Sequence, residues 1–506
     1  MSDLVRELWL RGVAFNPAAP SDVLMRLIDP AAGEVGALMC EGRDLPGTVV
    51  EAALRHPAVR IRGALARNRH IDTGLLAPLA TDPSGIVRHR LATGAHPRPR
   101  RVRPLPDATL VTLLTAQDGG EDGMLTANEI RQDLDFSRQI PLSFQRSLAG
   151  HEHPELRVRA TWSWQSLTPA QQEALLADPN PVVREAARES CWVLDGEAVE
   201  AKLPSIGSHS KSFVLGTCAL SPALVEKCFA DDDPYPLAWN RHTPAHVVAR
   251  LARHPEAKVR EMVAARPDLE PDLVTALGQD PDENVRMRAR LHPFPRTWAE
   301  HGAIHAVIGH GPNCTCPITE ADDEPSPDWF AACAVSEEPV LRQVAASRPG
   351  LPAELVETLA RDEDEEVRIR LACHHPQAPP HLLLDVFATR PAHRPHLLTL
   401  PTFPRTGLTH LITHPDPEVR ALAAADPGLA EPPLQDPDAT VCRAAAANPS
   451  LAPETLESLL ADPRTAEGAA ANPSLPGTRM HALLDHCLNS AATPATTAGH
   501  RGPTAG

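Results

Sequence analysis

Short apolar stripes recur along this chain, each closed by a proline, at intervals of about two dozen residues. The clearest copy is DPEVRALAAADPGL, Asp416–Leu429. Asp416 followed by Pro417 predicts a helix start, with the carboxylate capping exposed N–H groups and the proline in the first turn. Val419, Leu422 and Ala423 then fall at i, i+3 and i+4, one apolar face. Pro427 and Leu429 stop the helix and turn the chain. Glu256–Leu269 (EAKVREMVAARPDL), Glu338–Leu351 (EPVLRQVAASRPGL) and Asp438–Leu451 (DATVCRAAAANPSL) match it, and Ala466–Leu475 is a shortened copy.

The arginine after the valine sets a register. Arg260 and Arg286 are 26 residues apart, Arg342 and Arg368 are 26, and Arg368 and Arg420 are 52, with Arg394 on the step between. Earlier, Arg60 and Arg88 are 28 apart and Arg184 and Arg260 are 76 apart, about three periods. A second half follows each turn, in Leu269–Asp280, Leu351–Asp362 and Leu451–Pro463. There Leu273 and Leu277, Leu355 and Leu359, and Leu456 and Leu460 form i, i+4 pairs. One period is thus two short helical segments, too tight for a full helical hairpin, so one is expected to be a turn or two of α or 3₁₀ helix. Units of this kind bury their apolar faces only against their neighbours.

DP-x-x-V-R-x-x-x-A-x-x-P-x-L followed by P-x-x-L-x-x-L-A-x-D-P resembles the leucine-rich repeat variant family, whose units are HEAT-like. The resemblance covers 254–488 best, and 50–93 and 153–195 in part. It implies an all-α fold: a right-handed superhelical solenoid of ~24–26-residue repeats, short α helices alternating with α or 3₁₀ segments, without the strand of ordinary leucine-rich repeats. It implies architecture and not activity. The expected organisation is helical repeats over 1–93, a Pro/Arg-rich connector and acidic loop over 94–124, repeats over 125–203, a linker at 204–212, repeats over 213–300, a His/Cys-containing insertion at 301–333, repeats over 334–488 and a disordered tail at 489–506.

Composition agrees with many small units. Of 506 residues 42% are hydrophobic but only 3% aromatic, and 54 prolines would break long helices or a sheet while suiting short helices with a proline at each corner. Lysine is confined to Lys202, Lys211, Lys227 and Lys258, and with the Ala/Pro richness this points to a GC-rich, bacterial-looking genome. A net charge of −17 argues against a nucleic-acid groove. The charged N-terminus shows no signal peptide, no run of about 18 apolar residues predicts a membrane span, and ten scattered cysteines fit a reducing cytoplasm.

Candidate chemistry is sparse. The repeated Arg260, Arg286, Arg342, Arg368 and Arg420 follow an Asp or Glu by four to six residues in most copies. HEAT-like arrays use such pairs as ladders between repeats; the other reading is a row of arginines taking a carboxylate or phosphate partner bidentately. Cys442 occupies the arginine slot in one copy, which a ladder tolerates better than a binding site. His301 and His305 are i, i+4 on a predicted helix, and His310, Cys314, Cys316 and Cys333 follow, so the insertion offers ligands for zinc or iron. Its C-x-C is not the usual knuckle spacing, and inert cysteines in a surface loop are the competing reading.

Arg98, Arg100, Arg101 and Arg103 form a solvated connector or a dock for an acidic partner, and the acidic loop Gln117–Gly123 lacks EF-hand spacing. Trp162, Trp164 and Trp192 are expected to pack in repeat seams. A lone His151-Glu152 falls short of the several dyads of HEAT-like hydroxylases, and G-x-S-x-G, H-E-x-x-H and the Walker phosphate loop are absent. The function expected is a non-enzymatic protein-interaction scaffold, without cofactor, binding a protein partner on its concave surface. A zinc- or iron-binding regulatory or redox protein is the second reading, and a nucleic-acid-acting HEAT-like enzyme the third.

Overall fold

Seven- to ten-residue helices dominate the chain, as the proline spacing requires. The computed structural model describes residues 3–95, 102–117, 125–137, 139–291, 297–308 and 325–489, and among these no strand occurs. The chain is an all-helical repeat solenoid. It divides into two units, Met1–Pro141 with Phe403–Gly506, and Leu142–Thr402.

Aspartates start the helices as expected. The Asp416 carboxylate accepts the Glu418 N–H ahead of helix Pro417–Ala424, and Asp364 and Asp438 cap Glu365–His374 and Ala439–Ala446 in the same way. Val419, Ala423 and Ala424 are buried, whereas Leu422 is only partly covered, so the apolar stripe is rotated slightly from the expected one. The second helices Pro271–Leu277 and Ala353–Leu359 bury Val274 with Leu277 and Val356 with Leu359. Leu273 and Leu355 stay half-covered there, and Leu456 with Leu460 is the one of the three leucine pairs that is buried as a pair. A 3₁₀ segment fills this place at Ala77–Thr81 and Thr409–Leu411, while elsewhere it is short α helix. The segment 204–212, expected as a linker, holds the 3₁₀ turn Leu203–Ser205 and the start of helix Ser208–Thr217.

Buried asparagines join several repeats to the one before. Asn448 Nδ2 donates to the carbonyls of Ala424 and Asp426, both at 2.8 Å, and Asn472 Nδ2 to those of Ala446 and Asn448 at 2.9 and 2.7 Å. Asn68 and Asn240 do the same to Cys40 and Arg43, and to Leu215 and Cys218. These carbonyls end the preceding helix and have no partner inside it. Each Oδ1 meanwhile accepts from its own loop, as Asn472 does from Ser474 N–H at 2.8 Å. Arginine takes the same place at Arg266, whose Nη1 reaches the carbonyls of Ala238 and Asn240 at 3.1 and 2.7 Å.

Within the first unit this rung crosses the chain ends. Gly12–Pro20, GVAFNPAAP, copies Gly468–Pro476, GAAANPSLP. Asn16 Nδ2 donates to Ala470 O and Asn472 O at 2.9 and 2.7 Å, as though the first repeat were the next after the last. Helix Asp3–Phe15 packs on Ala466–Ala471 and Gly477–Asn489. A Cβ on Gly12 would stand 2.3 Å from Glu467 O, just as one on Gly468 would stand 1.9 Å from Arg443 O, so both helices need glycine to approach their predecessor. Trp9 Nε1 donates to Leu460 O at 2.9 Å, Arg26 pairs with Asp485 at 2.6 Å and His481 Nε2 meets Asp22 at 2.9 Å. The apolar end that a terminal repeat would expose is therefore covered by the chain's other end.

Replacing Asn16 by Ala should orphan the buried Ala470 carbonyl, leave Asn472 O with only its bond from Leu475 N–H, and lower stability by about 1–3 kcal/mol. Urea unfolding followed by tryptophan emission measures this; an unchanged midpoint would show that the end-to-end rung contributes nothing.

Candidate interaction surface and the arginine ladder

The five arginines of the register divide into two geometries. Arg260 holds Asp280 bidentately, Nε to Oδ2 at 2.7 Å and Nη2 to Oδ1 at 2.9 Å. Arg342 holds Asp362 at the same two distances, and Arg420 holds Asp436 at 3.1 and 3.0 Å. Arg62–Asp82 and Arg157–Asp178 repeat the arrangement. The acid lies one repeat onward, 20 residues after Arg260, and not four to six residues before the arginine. The third nitrogen binds backbone: Arg260 Nη1 donates to the His254 and Pro255 carbonyls at 2.7 and 2.9 Å.

Arg286 and Arg368 behave differently. Arg286 Nη1 donates to the carbonyls of Asp280 and Pro281 at 2.7 and 2.9 Å, and its other nitrogen meets Glu283. Arg368 Nη1 donates to those of Asp362 and Glu363 at 2.5 and 3.3 Å. In the Cys442 copy the sulfur reaches Asp436 O at 3.2 Å, a thiol standing in for this clamp. Repeats thus come in pairs. The first turn of a pair begins with histidine and the second with aspartate: Nδ1 of His254 accepts from Glu256 N–H at 3.2 Å, as Asp280 Oδ1 accepts from Asp282 N–H at 2.9 Å. His56 and His414 accept in the same way, and Ser336 Oγ does so in a fourth pair. The H-P and D-P openings carry this two-repeat period in the sequence, a signal that the valine-arginine register hides.

Arg157, Arg260 and Arg420, by hydrogen bond and then by charge, hold the carboxyls of Asp178, Asp280 and Asp436 below the usual range, against the upward pull of burial. With side chains 12% and 8% exposed, Arg260 and Asp280 leave little room for an outside ligand.

Of the predicted metal ligands, His301 lies buried on helix Trp298–Ile308 and Cys333 buried on Pro327–Ala334. Burial, with the Glu300 charge added, pushes the Cys333 thiol up to about 12, and burial raises the Glu300 carboxyl as well. The His305 side chain and residues His310, Cys314 and Cys316 fall outside the described residues. Among the described residues no three His, Cys, Asp or Glu gather to hold a metal. In the connector, Arg103 is described and Arg98, Arg100 and Arg101 are not.

The tryptophans split. Trp164 is buried and Trp192 is half-covered with the Lys202 ammonium 4.8 Å from its ring centre. Trp162 is instead 70% exposed, with the Arg159 guanidinium 5.1 Å from its ring centre. The tight 3₁₀ stretch Thr161–Ser166, broken at Ser163, turns one indole inward and the other out. Val182, 63% exposed, begins helix Pro181–Ser190, which packs against that stretch.

Residues 257–282 match the leucine rich repeat variant family, a HEAT-like helical repeat family. No curated protein matches the chain. Among the described residues no helix is long and apolar enough to cross a membrane.

The depressed Asp178, Asp280 and Asp436 make acid sensitivity calculable in sign. Their stabilisation is complete above the unfolded carboxylate value of about 4 and is lost as pH falls through their lower folded values. Asp280→Asn should lower stability by about 1–3 kcal/mol at neutral pH and flatten this acid limb in urea titrations; an unaltered acid limb would rule out the pair as its source.

Proposed function

We propose that the chain is a non-enzymatic protein-interaction scaffold, working without cofactor in a reducing cytoplasm and holding a protein partner on the concave surface of its repeats. The observation that carries this reading is the use of the ladder. Arg260, Arg342 and Arg420 are occupied by Asp280, Asp362 and Asp436 of the same chain, which leaves them as builders of a rigid surface. Stacked helical repeats present long continuous faces of that kind. The exposed pair Trp162 and Val182 supports an apolar anchor for the partner, since indole side chains dominate interface energetics when buried. None of the eight described cysteines is in a disulfide, which supports the reducing compartment.

The test is cross-linked capture from the source cell, followed by reconstitution with the purified candidate. A 1:1 complex should form, and Trp162→Ala should weaken it by about 2 kcal/mol, roughly 30-fold, without moving the thermal midpoint. Failure of every captured protein to rebind in purified form would sink the scaffold reading.

A further inference from the structure

The joint between the chain ends copies the joints inside the array in its bonds and differs from them in its tether. Asn16 Nδ2 reaches its two carbonyls at 2.9 and 2.7 Å, the distances at which Asn472 Nδ2 reaches Ala446 O and Asn448 O. Asn472 binds residues 26 and 24 positions away, within a stretch of chain short enough to keep the two repeats together. Asn16 binds residues 454 and 456 positions away, so no short turn holds these two faces to each other.

The outer edge of this joint is polar. Asp22 and Arg26 stand i, i+4 on helix Ser21–Leu27, and His481 and Asp485 stand i, i+4 on Gly477–Asn489. The four interleave: His481 Nε2 meets Asp22 Oδ2 at 2.9 Å, Arg26 Nη1 reaches His481 Nδ1 at 3.1 Å, and Arg26 Nη2 reaches Asp485 Oδ1 at 2.6 Å. A guanidinium only donates, so Nδ1 is the acceptor and Nε2 carries the proton towards Asp22. These side chains are 29% to 69% exposed, against 11% and 4% for Arg62 and Asp82 of a rung inside the array. Exposed pairs contribute little and weaken with salt, whereas buried pairs are screened much less. The inner polar contacts have an outlet as well. Once the faces part, Ala470 O, Leu460 O and Trp9 Nε1 exchange their bonds for water.

We propose that the chain ends form a clasp that opens while the repeats on both sides stay folded, with ionic strength setting how often it opens. Closed, helix Asp3–Phe15 continues the stack after Ala466–Ala471; open, each side keeps its own helices and turns. The fit at Gly12 is where the clasp is most easily forced. A Cβ there would stand 2.3 Å from Glu467 O and 2.5 Å from Ala470 Cβ, neither of which is the free end of a flexible side chain. Leucine at this position would wedge the joint apart, yet it suits the helix itself better than glycine does.

Energy transfer between dyes at exposed Glu7 and Ala461 of the full chain, read beside far-ultraviolet circular dichroism, tests this. Ala461 follows Leu460, the acceptor of Trp9, so the closed joint gives high transfer. Raising NaCl to about 1 M, where the screening length is about 3 Å, should enlarge the low-transfer population about fivefold with helicity unchanged. Arg26→Gln should enlarge it about fivefold at low salt and remove most of the salt response. Gly12→Leu should make low transfer the main state, again with native helicity. Arg157→Gln, which breaks a buried rung in the other unit, should leave transfer as in the wild type. Transfer that falls only together with helicity would overturn the proposal, as would high transfer retained in Gly12→Leu. A low-transfer population that ignores both salt and Arg26→Gln, or that responds equally to Arg157→Gln, would overturn it too.

Discussion

A seven-residue α helix has more unpaired backbone ends than internal bonds, because the first four N–H and last four C=O groups have no partner within it. A chain built from such helices must find those partners outside each helix. This protein meets the need at both ends with side chains set at fixed places in the repeat. Aspartate and histidine, one at each alternate turn, accept from the N–H groups that open a repeat. Asparagine amides, or arginine in their place, supply donors to the carbonyls that close the preceding one. Because these donors come from a neighbouring repeat, satisfying the backbone and stacking the repeats are one event.

The Arg–Asp pair adds direction to that stacking. Arg260 binds forward to the Asp280 side chain and backward to the His254 and Pro255 carbonyls, so one planar guanidinium fixes three successive pieces of chain. Arg286 then binds the carbonyl of the same Asp280. A carboxylate so surrounded by donors stays ionised further into acid than a free one. Places that depart from this pattern stand out. Trp162 faces solvent, and at Gly63 the Arg90 side chain lies where a Cβ would stand.

The packing of helix Asp3–Phe15 on Ala466–Ala471 follows from the same rule. A repeat at the end of a stack leaves carbonyls of its first helix without donors, and Asn16 supplies one to Ala470 and a second bond to the capping Asn472, whose carbonyl also accepts from Leu475 N–H. Gly12 lets the helix come close enough to do so. The resemblance of GVAFNPAAP to GAAANPSLP was present in the sequence, but in local terms it only made the N-terminal stretch one more repeat.

By itself the sequence determined the repeat, its helical halves and its punctuation, because helix caps, proline stops and apolar periodicity are local properties of a few residues. It also placed Arg260, Arg342 and Arg420 on a common register. Which carboxylate each arginine takes was beyond it, since Asp280 and Asp282 both stand within six residues of Arg286 in sequence while the bond that Asp280 makes comes from Arg260, 20 residues before it. The burial of Val274 rather than Leu273, the exposure of Trp162 and the meeting of the chain ends were likewise decided by the tertiary structure. Each depends on the angle at which one repeat is set on the next, and that angle arises from contacts between residues far apart in the chain.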